Sequence, residues 1–445
     1  MRQNKCILFS GGKKYNINIS KRSDVEKQIV MSKGLLELSS RYYEFKRILV
    51  KENEVIEPFT GIARTDIFSE TFEFVLPCRV RINRIDYRKK TVEFTVLEDP
   101  VSPSADLLIS EKMRRSGIWM EIFDPVRGSC ADPFITPFEI FISLSNNEPP
   151  YSGNEENCLE HAYQYISEII DVTPEFRGVK INFLFPESWR KIPETQGNFT
   201  FHCIEDKYPA FFPGVLFTQK KYLYGFSDNS VRYWHFDFIT LEKIHQLVVK
   251  NEFNYLTPVD VFNCNDYGKL NIRPWTLISD LVENDLDNRV IRGGLLTGLE
   301  GINSNSVRPH DRSLTFISNP KTREMLQFLR PGFDRDSYSP LVASWYFPSR
   351  KSEVNAGLRG EKRMCIECGY CETICPARLE PSILWKLTKD RDERFYQEAI
   401  ELGLRRCMEC NLCSYVCPSK IELGHTITAA KHNYFIEQEH CRKEK

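Results

Sequence analysis

The 445-residue sequence contains no apolar run approaching the roughly 18 residues that a membrane-spanning helix needs. Met1 to Lys14 holds no apolar core and no small-residue cleavage site, so no signal peptide is expected. Net charge is missing too. Sixty Lys and Arg balance 61 Asp and Glu, and a formal charge of −1 excludes a general attraction to nucleic acid or to an anionic membrane. A glycine-rich phosphate loop is absent. The stretch Gly117-Ile-Trp-Met-Glu-Ile-Phe-Asp-Pro-Val-Arg-Gly128 cannot bring backbone amides close to a pyrophosphate, so no NADH or FMN site is expected on this chain. Pairing signals among seven of the 15 cysteines are lacking as well: Cys6, Cys78, Cys130, Cys158, Cys203, Cys264 and Cys441 lie scattered. That argues against a disulfide scaffold and suits a reducing cytoplasm.

The other eight cysteines form two copies of one pattern. Cys365-Ile-Glu-Cys368-Gly-Tyr-Cys371-Glu-Thr-Ile-Cys375-Pro376 is followed by Cys407-Met-Glu-Cys410-Asn-Leu-Cys413-Ser-Tyr-Val-Cys417-Pro418. Each is C-x2-C-x2-C-x3-C-P, the run that holds iron–sulfur clusters in two-cluster ferredoxins, where the fourth cysteine of one run ligates the other cluster. Cys365, Cys368, Cys371 and Cys417 are therefore assigned to one [4Fe-4S] cluster, and Cys407, Cys410, Cys413 and Cys375 to the second. Zinc would use two separated C-x2-C pairs around one ion and has no need of a third and fourth cysteine at these spacings.

The chain is 41% hydrophobic and 27% charged, and its length predicts about three globular domains of a multidomain α+β protein. Residues 1–100 read as a β-rich barrel or sandwich, with Val80-Arg-Ile-Asn-Arg-Ile and Thr91-Val-Glu-Phe-Thr-Val alternating around the turn Tyr87 to Lys90. Lys89 and Lys90 at that turn read as a solvated hairpin tip rather than a lipoyl-type arm. Residues 101–215 read as a Rossmann-like α/β domain without its nucleotide loop, from the strands near Phe138 and Val179 and a helix over Leu159–Val172. Residues 216–310 read as a β-grasp-like module. Its strand candidates are Gly214-Val-Leu-Phe, Lys221-Tyr-Leu-Tyr and Val231-Arg-Tyr-Trp; its helices are Thr240–Val249 and one opening at Pro274. Arg292 with Gly293, Gly294 and Gly298 reads as turn punctuation rather than an anion cradle. Residues 311–360 supply a helix at Thr322–Leu329 and the polar linker Pro348–Lys362. Residues 361–445 form an α-helical dicluster domain, with Pro381 opening one helix and Gly403 ending another. Fourteen basic and 14 acidic residues there leave no charged docking face in the totals.

The C-terminal unit resembles the C subunit of the Rnf electron-transport complex, which has the same doubled run. Most of the chain is similar to the A subunit of the Na+-translocating NADH:quinone oxidoreductase. Cys413-Ser-Tyr-Val-Cys417-Pro-Ser-Lys420-Ile-Glu-Leu-Gly424 resembles that family's ending, and Val290-Ile-Arg-Gly-Gly-Leu-Leu-Thr-Gly298 resembles its Val-Ile-Ser-Gly-Ser-Val-Leu-Ser-Gly. Ile140-Phe-Ile-Ser-Leu-Ser-Asn-Asn-Glu-Pro149 takes the place of its second-domain strand. Two departures stand out: the Rnf flavin and NADH loop is absent here, and all eight cysteines are present where the usual family member keeps few. The resemblance implies a peripheral subunit on the cytoplasmic side of the inner membrane, partnered by the other subunits of a complex that carries electrons from NADH to quinone and drives Na+ outward. A quinone is the bound substrate it suggests, with no residue assignable by motif. The rival readings are an Rnf-like carrier serving another acceptor and a scaffold whose clusters are structural. Removal of residues 361–445 is expected to end electron transfer while leaving docking to the complex largely intact.

Overall fold

The computed structural model describes residues 21–29, 32–40, 43–66, 68–125, 129–145, 158–189, 197–205, 207–212, 232–263, 266–281, 288–301, 305–318, 363–389 and 393–443. The strand candidates at Gly214 and Lys221, the helix at Thr322–Leu329 and the linker Pro348–Lys362 lie outside them. The chain is a mixed α+β protein with several sheets and a helical C-terminal region. No helix among the described residues is long and apolar enough to cross a membrane.

The β-rich part holds two antiparallel sheets. One orders Lys33–Glu37, Thr91–Val96, Val80–Asp86 and Val55–Ile56; the other orders Arg47–Ile48, Gly61–Thr65 and Phe72–Val75. Alternation is the cause: Val80, Ile82 and Ile85 point inward while Arg81, Asn83 and Arg84 face out. At the hairpin tip Asp86 Oδ1 accepts the amides of Arg88 and Lys89, each at 3.0 Å, and Lys90 pairs with Glu44. The tip lysines are thus ordinary turn residues.

A six-stranded sheet orders Ser129–Cys130, Phe123–Asp124, Tyr233–Asp237, Glu139–Ser143, Lys180–Pro186 and Phe199–Ile204, the last four strands parallel. Tyr233–Asp237 and the helix Phe238–Val248, expected in the 216–310 module, belong to this sheet instead. Ile140, Ile142, Ile181 and Phe183 face the helices Cys158–Val172 and Phe238–Val248. The opposite face presents Phe141, Leu184 and Ile204, and these share one core with the cluster helices, including Ile374, Leu384, Leu412 and Ile427. The C-terminal region therefore covers the second face of the sheet, as a second helix layer does in other α/β proteins.

A further six-stranded sheet orders Lys21–Ile29, Asp266–Ile272, Thr257–Asn263, Ser313–Ser318, Asn288–Arg292 and Leu299–Gly301. Its edge strand Lys21–Ile29 comes from the first hundred residues, in parallel with Asp266–Ile272. The helix expected to open at Pro274 reduces to one 3-10 turn, Ile278–Asp280. Trp275 is the reason. Its φ of 70° breaks a helix, its amide donates to the Val307 carbonyl, and its buried ring meets Phe74 edge-on.

Two buried ion networks join these parts. Glu37 accepts from Arg292 Nη1 at 2.7 Å and from Arg308 Nη2 at 2.6 Å. Burial would raise the Glu37 pKa; the guanidiniums of Arg308 and Arg292 outweigh it and hold the carboxyl below its ordinary value. Glu121 binds Lys243 at 2.7 Å and also contacts Arg312, which lies 2.6 Å from Asp237. Among the scattered cysteines, burial pushes Cys78 up to about 11 and Cys130 up to about 12, the profile of inert core thiols. Cys203 is disulfide-bonded, a pairing that the sequence does not signal.

Candidate metal centre

The two cysteine runs fold into one backbone used twice. Glu367 and Glu409, each two residues after the first cysteine of its run, have φ of 54° and 59°. Gly369 and Asn411, both in the left-handed region at φ of 73° and 58°, cap the short helices Tyr370–Ile374 and Leu412–Tyr415. Arg378 and Lys420, three residues beyond each final cysteine, repeat it at 50° and 55°. Such a succession curls the chain so that its thiols and amide N–H groups converge on one side.

The fourth cysteine of the first run lies with the second run. Cys375, Cys407, Cys410 and Cys413 line one hollow, with Pro376, Leu379 and Leu384 beside them. The amide of Leu379 points at Cys375 Sγ from 3.4 Å. Burial raises the Cys375 pKa, and the amides of Leu379, Ala377 and Arg378 oppose it. Burial also pushes Cys407 up to about 11 and raises Cys410 and Cys413. Thiols in such surroundings give up their protons to a bound metal, not to water at neutral pH. Around the first run, the Arg363 amide donates to the Ser419 carbonyl at 2.9 Å, tying the chain just before Cys365 to the chain just after Cys417. Cys371 and Cys417 are buried there, whereas Cys368 is exposed. Among the described residues no group of three or more His, Cys, Asp and Glu side chains is drawn together as for one ion.

The donor set fits two cubanes. In the second loop Cys407, Cys410 and Cys413 stand beside Cys375, and the Leu379 amide is aimed at the Cys375 sulfur, a donor set suited to a cubane. Such a cluster, when bound, accepts and returns one electron.

Residues distant in sequence hold the second loop, and nothing in the sequence marks them. The buried Tyr208 hydroxyl donates to the Cys410 carbonyl at 2.7 Å. Asn411 Nδ2 donates to the Leu296 carbonyl at 2.9 Å, so the Gly293–Gly298 turn serves as a support for the cluster loop. Arg292 at its start is engaged by Glu37 and by the Ser306 carbonyl, consistent with turn punctuation and not with an anion cradle. A Cβ on Gly424 would lie 2.3 Å from Asn411 Oδ1 and 3.1 Å from Asn411 Cα, so only glycine lets the last helix pack there.

Residues 364–421 match the model of the 4Fe-4S dicluster domain. The chain is similar to the A subunits of Na(+)-translocating NADH-quinone reductases. That of Chlamydia muridarum is 27% identical over 154 residues, 34% of this chain and 28% of the relative. That of Klebsiella pneumoniae is 22% identical over 304 residues, 66% of each chain, and that of Chlamydia pneumoniae 23% over 316 residues, 64% of each. The matches thus span less than two thirds of the first of these relatives and about two thirds of the others.

Proposed function

We propose that this chain is a peripheral iron–sulfur electron-transfer subunit of a complex of the Na+-translocating NADH:quinone reductase type, working on the cytoplasmic side of the inner membrane. Its two [4Fe-4S] clusters are held by Cys365, Cys368, Cys371 and Cys417, and by Cys407, Cys410, Cys413 and Cys375. The observation that carries this is the crossing of Cys375 into the second loop. A ferredoxin-type pair needs that crossing, and separate zinc sites have no use for it. In this reading the chain passes single electrons and quinone is reduced within the complex. Hydride transfer and nucleotide binding belong to partner subunits. In support, the N-terminus of the helix Phe238–Val248, at the C-terminal end of the strand Tyr233–Asp237, is capped by Asp237, which Arg312 also binds. Phosphate would have to displace that carboxylate.

Iron and acid-labile sulfide analysis of anaerobically prepared full-length chain tests this. Roughly eight of each per chain, with reversible EPR signals on reduction, is the expected result. Reconstituted protein that holds zinc alone would overturn it. The place in a complex is tested by co-purification from native membranes: the chain should come with partner subunits and be released by chaotrope. Recovery only as a lone soluble protein would contradict that part.

A further inference from the structure

The two cysteine loops carry the same acid at the same place, and the protein treats the two copies differently. Glu367 is 73% exposed and its salt-bridge partner, Lys386, is 44% exposed. Glu409 is 13% exposed, with Lys431 Nζ 2.9 Å from one carboxylate oxygen and His432 Nε2 2.9 Å from the other. The Lys431 side chain is only 4% exposed and also donates to the Cys407 carbonyl at 2.7 Å. A buried ammonium therefore touches the backbone of one ligand loop, and a largely enclosed carboxylate stands within that loop.

We propose that Lys431 and Glu409 are positioning residues that set the reduction potential of the cluster held by Cys375, Cys407, Cys410 and Cys413, making the two clusters electrically unequal. The proposal rests on reading the eight cysteines as cluster ligands. Reduction adds one negative charge to the cluster. Water screens a charge near the exposed loop, whereas a charge largely out of water is screened much less over a few ångströms. Glu409 alone opposes that added electron. Lys431 offsets the carboxylate and favours the electron from the Cys407 side. The pair thus holds two opposing influences on one cluster, and the exposed pair Glu367–Lys386 has no comparable leverage on the other.

The test is an EPR-monitored redox titration of the anaerobic full-length chain at one fixed pH. Lys431→Met should lower the midpoint of one cluster, and the isosteric Glu409→Gln should raise the midpoint of that same cluster. The double variant should fall between them, and Glu367→Gln should leave both clusters where they were. Should Lys431→Met lose its clusters, Glu409→Gln decides alone. Shifts of the same sign in the two single variants, equal shifts in both clusters, or a wild-type midpoint in Glu409→Gln would overturn the proposal. Wild-type protein without iron would instead fail the reading beneath it, so the two failures are distinguishable.

Discussion

Around Cys365–Cys371 the chain turns its ligand loop to solvent, with Met364 88% exposed, Ile366 64% exposed and Cys368 exposed as well. Around Cys407–Cys413 the same backbone is enclosed. Tyr208, in the segment after Phe199–Ile204, and Leu296, in the turn after Asn288–Arg292, bind it, Lys431 binds it from the last helix, and Met408 and Cys410 are buried. Local sequence builds the loop, because three cysteines, two left-handed residues and a short helix suffice for the shape. Tertiary contacts decide what that loop is for. The enclosed site is wired into the body of the protein, and the open one faces whatever comes from outside. An electron carrier with one cluster of each kind has a port and an interior station. On the proposed reading that division rests on the exposure of the first loop around Cys368, since Cys371 and Cys417 are themselves buried.

Removing residues 361–445 should have the largest effect. It would uncover Phe141, Leu184 and Ile204 on the second face of the α/β sheet. An apolar face of that kind drives aggregation, so the truncated chain should elute as aggregate or melt far below the full chain. The separable cluster domain expected from the linker becomes, in the fold, part of a core shared with the α/β sheet. A soluble, monomeric truncation would restore the separable picture.

Next in size is Cys375→Ser. It should abolish the cluster of the second loop and leave that of Cys365, Cys368 and Cys371, about halving the iron content from roughly eight to four per chain. Loss confined to the first loop would mean that the crossing is wrong.

Glu37→Gln changes no residue in contact with either loop and serves to separate stability from cluster chemistry. It removes the carboxylate that Arg292 and Arg308 both bind and leaves them with the neighbouring Asp311 as an acid, at a cost of about 3–5 kcal/mol read by denaturant unfolding, with unchanged iron content. Because the folded pKa of Glu37 lies below its unfolded value, its stabilisation is present above the unfolded value near pH ~4.3 and fades as pH falls below it. The variant should therefore lack part of the wild type's acid-induced loss of stability. Tyr208→Phe removes one donor from the Cys410 carbonyl and should cost roughly 1–3 kcal/mol, destabilising the second cluster against chelator more than the first. Glu367→Gln should produce no measurable change in stability, since both partners of its ion pair stand largely in solvent.

The cysteine loops are legible in the sequence because ligand spacing is local chemistry, and so are Val80–Asp86 with Thr91–Val96 and the helix opened by Pro381, which follow from alternation and from a capping rule. What binds the second loop is not legible. Tyr208 meets Cys410 across 202 residues of chain, and a tyrosine before a proline carries no local mark of that partner. The sheet to which Tyr233–Asp237 belongs is equally hidden, since an alternating strand names no neighbour. At Pro274 the sequence misleads: a helix-opening proline and an apolar spacing are overridden by burial of the Trp275 ring against Phe74 of the β-rich part. Lys431 and His432 carry no motif in the sequence, and only the fold brings them to Glu409.

The contrast between the open and the enclosed cluster is tested most directly by EPR power saturation of the reduced full-length chain with a soluble paramagnetic relaxant such as Ni(II)-EDTA. Cys375→Ser identifies which signal belongs to which loop. The relaxant should strongly relax the signal of the cluster on Cys365, Cys368, Cys371 and Cys417 and leave the signal lost in Cys375→Ser nearly untouched. Equal relaxation of the two signals, or stronger relaxation of the second, would contradict the account.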